Sequence, residues 1–138
     1  MERQNVLLIV VDQWPGALLG IDGRTDIESP TLDQLARNGT RFPNMHSECP
    51  ICIPARRSLM TGTSPRIHGD RVFQPKLTKP NIPHMAEVFR RAGYQTGSVG
   101  KLHAFPSRDR LGFEETILFE EGRPGSGGPD DWDISVSY

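Results

Sequence analysis

The segment Cys52-Ile53-Pro54-Ala55-Arg56, followed after four residues by Thr61-Gly62, sets a thiol, a proline, a guanidinium and a glycine at fixed spacing. Pro54 suits the first turn of a helix, where its missing N–H leaves no bond unmade. Cys52 would then stand at the helix N-terminus, with free amides and the positive end of the dipole directed at an anionic group. Arg56, one turn further on, would bring a guanidinium to the same place. Thr61-Gly62 would close the helix, the glycine serving as a left-handed cap. Two other chemistries fit the cysteines alone. Cys49-Pro50-Ile51-Cys52 is a C-x-x-C, the spacing of a redox dithiol with a depressed thiol pKa. His46, Cys49, Cys52 and His68 also supply four nitrogen or sulfur ligands for zinc, although not at the spacing of a common finger. Neither alternative accounts for Pro54, Arg56 and Thr61-Gly62 together.

Two further blocks carry groups of chemical interest. Asn5 to Val11 is an apolar, β-branched run of the kind that forms a strand buried on both faces of a parallel sheet, and it ends abruptly in Asp12-Gln13. Ligands in open α/β sheets gather at the carboxyl ends of strands, so Asp12 is a natural ligand for a cation there. Its simpler role would be to cap the turn into Trp14-Pro15-Gly16. Gly100-Lys101-Leu102-His103 follows a second strand-like run over 94–99. Alone, a Lys and a His on a loop are most often surface groups; beside an anion they form a charge partner and a proton acceptor.

Taken together, the three blocks resemble the sulfatase family. The signature C-x-P-x-R-x4-T-G is matched at every fixed position, the opening strand ends in an Asp-Gln where Asp-Asp is commonest, and Gly100-Lys101-Leu102-His103 matches G-K-x-H, with Leu102 where Trp is frequent. The resemblance implies that a formylglycine-generating or sulfatase-maturating enzyme oxidises Cys52 to formylglycine, whose hydrate carries two hydroxyls on one carbon. One hydroxyl attacks sulfur and becomes sulfated; the other then loses its proton, and the carbonyl re-forms as sulfate departs by C–O cleavage. The resemblance also implies a divalent metal held by Asp12, Gln13 and the modified Cys52. Mixed carboxylate and amide oxygens favour Ca2+, with Mn2+ or Mg2+ as alternatives. Arg56 would return to the modified side chain or the metal-bound oxygens, Lys101 would contact the sulfate, and His103 would help remove the second hydroxyl's proton. The opening strand is equally similar to phosphonate monoester hydrolases, which share the fold and the modified cysteine but carry hydroxyl residues in place of that Lys and His. Lys101 and His103 therefore point to a sulfate monoester as substrate. A phosphatase of the same superfamily would carry a hydroxyl residue, not Cys52, as nucleophile.

The elements that must position these groups alternate along the chain. Ser29-Pro30 reads as a cap followed by proline at the first helical position, Leu32, Leu35 and Ala36 form an apolar stripe for core packing, and Asn38-Gly39 ends the helix. Pro83 to Ala92 reads similarly, with Met85, Val88 and Phe89 at helical spacing and Gly93 as its stop. Strand, helix, nucleophile helix, helix and strand imply an α/β domain, with 5–11 and 94–99 as near neighbours in one parallel sheet. That agrees with the alkaline-phosphatase-like fold the resemblance implies.

Charge is balanced overall, with 16 Lys and Arg against 17 Asp and Glu, which gives no reason to expect nucleic acid or an anionic membrane as partner. Residues 52–110 nevertheless hold 11 basic and 3 acidic groups, an excess that favours an anionic substrate. No apolar run is long enough to span a bilayer, no signal peptide is recognisable and two cysteines make no disulfide framework, so a cytoplasmic location is expected. Residues 1–119 are expected to form the N-terminal portion of a longer sulfatase catalytic domain, and 120–138, rich in Gly, Pro and acids, a loop and tail in which Trp132–Tyr138 forms a strand or docking segment. The resemblance implies that further metal and sulfate ligands of the family lie beyond these 138 residues. The isolated chain is therefore expected to be incomplete and inactive.

Overall fold

A computed structural model describes residues 3–72, 74, 77–106 and 108–118. The expected tail at 120–138, with Trp132–Tyr138, lies outside them. The chain divides into two compact units, Met1–His46 and Ser47–Tyr138.

In the first unit a short 3-10 turn, Gly20–Asp22, precedes helix α1, Pro30–Asn38. Pro30 opens α1 as expected, but the Ser29 side chain does not cap it. The Ser29 hydroxyl accepts from the Gly20 amide at 2.8 Å and donates to Asp33 Oδ1 at 2.9 Å. Asp33 Oδ1 also accepts from the Ile21 amide at 3.0 Å. The Ser29/Asp33 face of α1 thereby ties down the turn, and Asp33 is the buried residue of the helix. Leu32 and Leu35, expected to pack into a core, are exposed. Satisfying the orphan amides of the turn decides which face of the helix is covered.

The strand expected over 5–11 does not form. Residues 5–11 have no ladder partner among the described residues, and Val6 to Val11 are each at least half exposed. High β propensity describes fit to a pleated, half-buried surface and does not make a strand without a neighbour to pair with.

The second unit holds helices α2 (Cys52–Thr61), α3 (Pro65–His68) and α4 (Met85–Arg91) and strands β1 (Gly97–Gly100) and β2 (Glu115–Leu118). The strands pair in parallel, Gly97 opposite Glu115 and Gly100 opposite Leu118. The neighbour of the strand expected near 94–99 is thus β2, reached through a crossover, and not 5–11. The core is a small cluster of Met60, Leu102, Leu111 and Leu118, with Met85, Ala104 and Phe113 packed against it. In α4, Met85 reaches this cluster and Phe89 stacks edge-on against Tyr94 at 5.2 Å, whereas Val88 of the same stripe is exposed. A capping box fixes the start of α4: the His84 side chain accepts from the Glu87 amide, and the Glu87 carboxylate accepts from the His84 amide at 3.1 Å. Among the described residues no helix is long and apolar enough to cross a membrane.

Candidate active site

Helix α2 forms where its residue types demand it. Ile51, extended at φ −123° and ψ 135°, leads into Cys52 at the first helical position. Gly62 closes the helix in the left-handed region at φ 62°, its amide donating to the Ser58 carbonyl at 2.9 Å. Cys52 is half-buried and carries a free thiol. The first-turn amides beside it have no intrahelical acceptor, which leaves that end of the helix attractive to an anion.

The Gly100-Lys101-Leu102-His103 block follows β1 directly. Gly100 turns at φ 103°, Leu102 drives into the core at 3% exposure, and Lys101 and His103 on either side of it stay half-buried. His103 is held at φ 53°, a conformation that costs a residue with a Cβ about 1–2 kcal/mol. Arg56 Nη1 donates to the Lys101 carbonyl, so a directional bond joins α2 to this loop. Arg56 and His103 also border one pocket with Ile53, Leu102, Ala104 and Phe105. The contact observed for Arg56 is thus a main-chain carbonyl of the second block, a role its position in the signature did not indicate.

The rival readings of the cysteines find their partners engaged elsewhere. Cys49 is buried and its thiol donates to the Arg71 carbonyl at 3.4 Å. His68 accepts from the Asp70 amide at Nδ1, 3.2 Å, so its proton sits on Nε2 and points to Ser58 Oγ at 2.9 Å. Both ring nitrogens of this proposed zinc ligand are occupied. Burial, helped by the nearby Arg57 charge, lowers the His68 pKa below 6.5 and keeps the ring neutral.

Sequence reasoning missed Arg57, Ser58, His68 and Asp70 as a group. Arg57 Nη1 and Nη2 each donate to a carbonyl, Thr78 and Leu77, at 2.7 Å. Its Nε lies 3.4 Å from Asp70 Oδ2, in an ion pair whose acid is fully buried. The doubled arginine at 56–57 was the available signal, since a helix seldom aims adjacent side chains at one target.

Asp12 and Gln13 belong to the first unit, on a turn where Gln13 is held at φ 54°. Gln13 and His103 are two of the four non-glycine residues with positive φ among the described residues. A carboxylate and an amide oxygen on adjacent residues are hard donors that suit Ca2+, but they make only two of the roughly six to eight ligands it takes. Among the described residues no group of three or more His, Cys, Asp or Glu side chains is placed to hold a metal.

Comparison with known proteins places the chain in a family. The family model described as Sulfatase matches residues 4–134. The chain is 36% identical over 118 residues to an arylsulfatase of Clostridium perfringens, covering 86% of this chain and 24% of that protein. It is 41% identical over 118 residues to a choline-sulfatase of Rhizobium meliloti, covering 83% of this chain and 22% of that one. The crystal structure of a phosphonate monoester hydrolase of Agrobacterium radiobacter superposes with a TM-score of 0.71 at 28% identity, over 85% of this chain and 26% of that chain. The chain thus spans about a quarter of the length of the relatives it matches, and its mixed α/β architecture with a parallel strand pair is that of the N-terminal portion of this fold. Both the sequence blocks and the fold lead to one assignment: the chain belongs to the sulfatase family.

Proposed function

We propose that this chain is the N-terminal catalytic portion of a sulfuric ester hydrolase that cleaves sulfate monoesters through a formylglycine made from Cys52. The observation that carries the reading is the hydrogen bond from Arg56 to the Lys101 carbonyl, which ties the helix headed by Cys52 to the loop that bears Lys101 and His103. Formylglycine, formed by a maturating enzyme, supplies a geminal diol where the thiol stood. Asp12 and Gln13 would hold a divalent cation, Ca2+ by their donor chemistry, which supplies positive charge for an anionic ester.

The chain's own groups have distinct roles in this proposal. The first-turn amides of α2 and the Lys101 ammonium bind the sulfate group and stabilise charge gained in the transition state. Arg56 holds the helix and the loop at a fixed separation. His103, on its strained backbone, takes a proton at an imidazole nitrogen when sulfate is released. Two sulfate-ester hydrolases among the relatives, together with Lys101 and His103 at the third block, favour sulfate over phosphonate esters.

The test is hydrolysis of 4-nitrophenyl sulfate by the protein expressed over its whole reading frame together with a maturating enzyme. Turnover should fall by roughly a thousandfold or more in Cys52→Ala, and a phenylphosphonate monoester should be the poorer substrate. Wild-type turnover in Cys52→Ala, or a preference for the phosphonate, would contradict the proposal.

A further inference from the structure

Helix α2 has little apolar anchorage. Its buried residues are Pro54, Arg57 and Met60, and Met60 alone joins the hydrophobic cluster. Pro54 is also fully buried, but apolar packing is non-directional, so Pro54 and Met60 leave rotation about the helix axis loosely fixed. Polar contacts do so instead. Arg56 and Arg57, about 100° apart on the helix, reach two different loops: Arg56 the Lys101 carbonyl, and Arg57 the Leu77 and Thr78 carbonyls, both at 2.7 Å. Ser58 adds a third tie at 2.9 Å to His68. Arg57 in turn is aimed by Asp70, whose carboxylate is completely buried 3.4 Å from Arg57 Nε and has no hydrogen bond to either oxygen. Such a carboxylate is costly to bury, and its ion-pair partner among the described residues is the guanidinium it orients.

Resting on the sulfatase reading above, we propose that Arg57 and Asp70 are positioning residues that set the rotation of α2 and hence the direction in which the side chain at position 52 is presented. They touch neither substrate nor reacting atoms. Rotating a ten-residue helix by even a small angle displaces the group at its N-terminus relative to Lys101 and His103, and misplacements near 1 Å cost about a hundredfold in rate.

Removing Arg57 alone would strand the Asp70 charge and endanger the fold. The informative variant is therefore Arg57→Met/Asp70→Leu, which replaces the buried pair by apolar groups, a change that often preserves stability. In the matured whole protein, the expected result is near-wild-type thermal unfolding, kcat for 4-nitrophenyl sulfate lower by about 10- to 100-fold, and KM within about threefold. A folded double variant with wild-type kcat would overturn the proposal. Should it fail to fold, Arg57→Lys decides. Lys keeps a charge opposite Asp70 but cannot reproduce the fork to Leu77 and Thr78, so the same loss of kcat is expected and wild-type kcat overturns. Should the wild type hydrolyse no sulfate ester, the sulfatase reading fails by itself and positioning is read from iodoacetamide labelling of unmodified Cys52, mapped separately from Cys49. A change in labelling rate of about threefold or more in the variant supports positioning, and an unchanged rate overturns it.

Discussion

Leu102→Ala tests whether the third sequence block is held from beneath by the core. Leu102 separates Lys101 from His103 and is 3% exposed, packed with Met60, Leu111 and Leu118. Truncation removes three carbons, worth about 0.8 kcal/mol each, so the transfer loss alone is about 2.4 kcal/mol. A cavity that the small cluster cannot fill raises this toward the roughly 3–5 kcal/mol found at poorly collapsing sites. Urea unfolding of the whole protein should therefore show a loss near 3 kcal/mol, with Leu102→Met, which conserves volume, losing less than about 1.5 kcal/mol. In both variants the loop remains covalently intact, so any fall in kcat beyond the stability effect reports looser placement of Lys101 and His103. A loss under about 0.5 kcal/mol in Leu102→Ala, the scale of surface substitutions, would mean that the core does not hold this loop.

Gly62→Ala places a Cβ in open space but at φ 62°, so the cost is backbone alone, about 1 kcal/mol by urea unfolding, and no cost would mean that the cap relaxes. Burial lowers the pKa of His68, with Arg57 adding to the effect, and lowers that of His84 despite the opposing charge of Glu87. Each neutral ring accepts a backbone N–H, so stability from these histidines is complete above their unfolded value of 6.5 and is lost as pH falls from 6.5 toward the lower folded values. Thermal unfolding should thus weaken between about pH 7 and pH 5, with a shallower slope in His68→Gln; an unchanged slope would contradict the neutral-ring assignment. Asp12→Ala should weaken Ca2+ binding by the whole protein at least about tenfold by calorimetry, and undiminished affinity would remove Asp12 from the ligand set.

Local signals were read well where the answer lay within a few residues. Proline near the start and glycine just past the end located α2, and Pro30 located the start of α1, because caps and turn geometry are decided by neighbours in sequence. The expectation of a strand over 5–11 failed for the opposite reason: pairing is a long-range property, and the apolar run finds no ladder among the described residues. The Leu32/Leu35 stripe misled because the amides of the Gly20–Asp22 turn recruit the Ser29/Asp33 face. Cys52, Arg56, Lys101 and His103 were singled out by their spacing, and the structure joins Arg56 to the Lys101 carbonyl and sets Arg56 and His103 on one pocket. Arg57 and Asp70 were not, since the carbonyls and the carboxylate that meet Arg57 come from 13 to 21 residues away and leave no periodic trace.

The proposed hydrolysis depends on what Cys52 becomes. Peptide mapping by mass spectrometry of the whole protein, produced with a maturating enzyme, reads this directly. The peptide containing Cys52 should be lighter by about 18 Da, the change from a thiol carbon to an aldehyde, while Cys49 stays a free thiol that alkylates. Turnover of 4-nitrophenyl sulfate should rise in proportion to the converted fraction across preparations. An unmodified Cys52 peptide from a preparation with full sulfatase turnover, or complete conversion with turnover that does not follow it, would contradict hydrolysis through formylglycine at position 52.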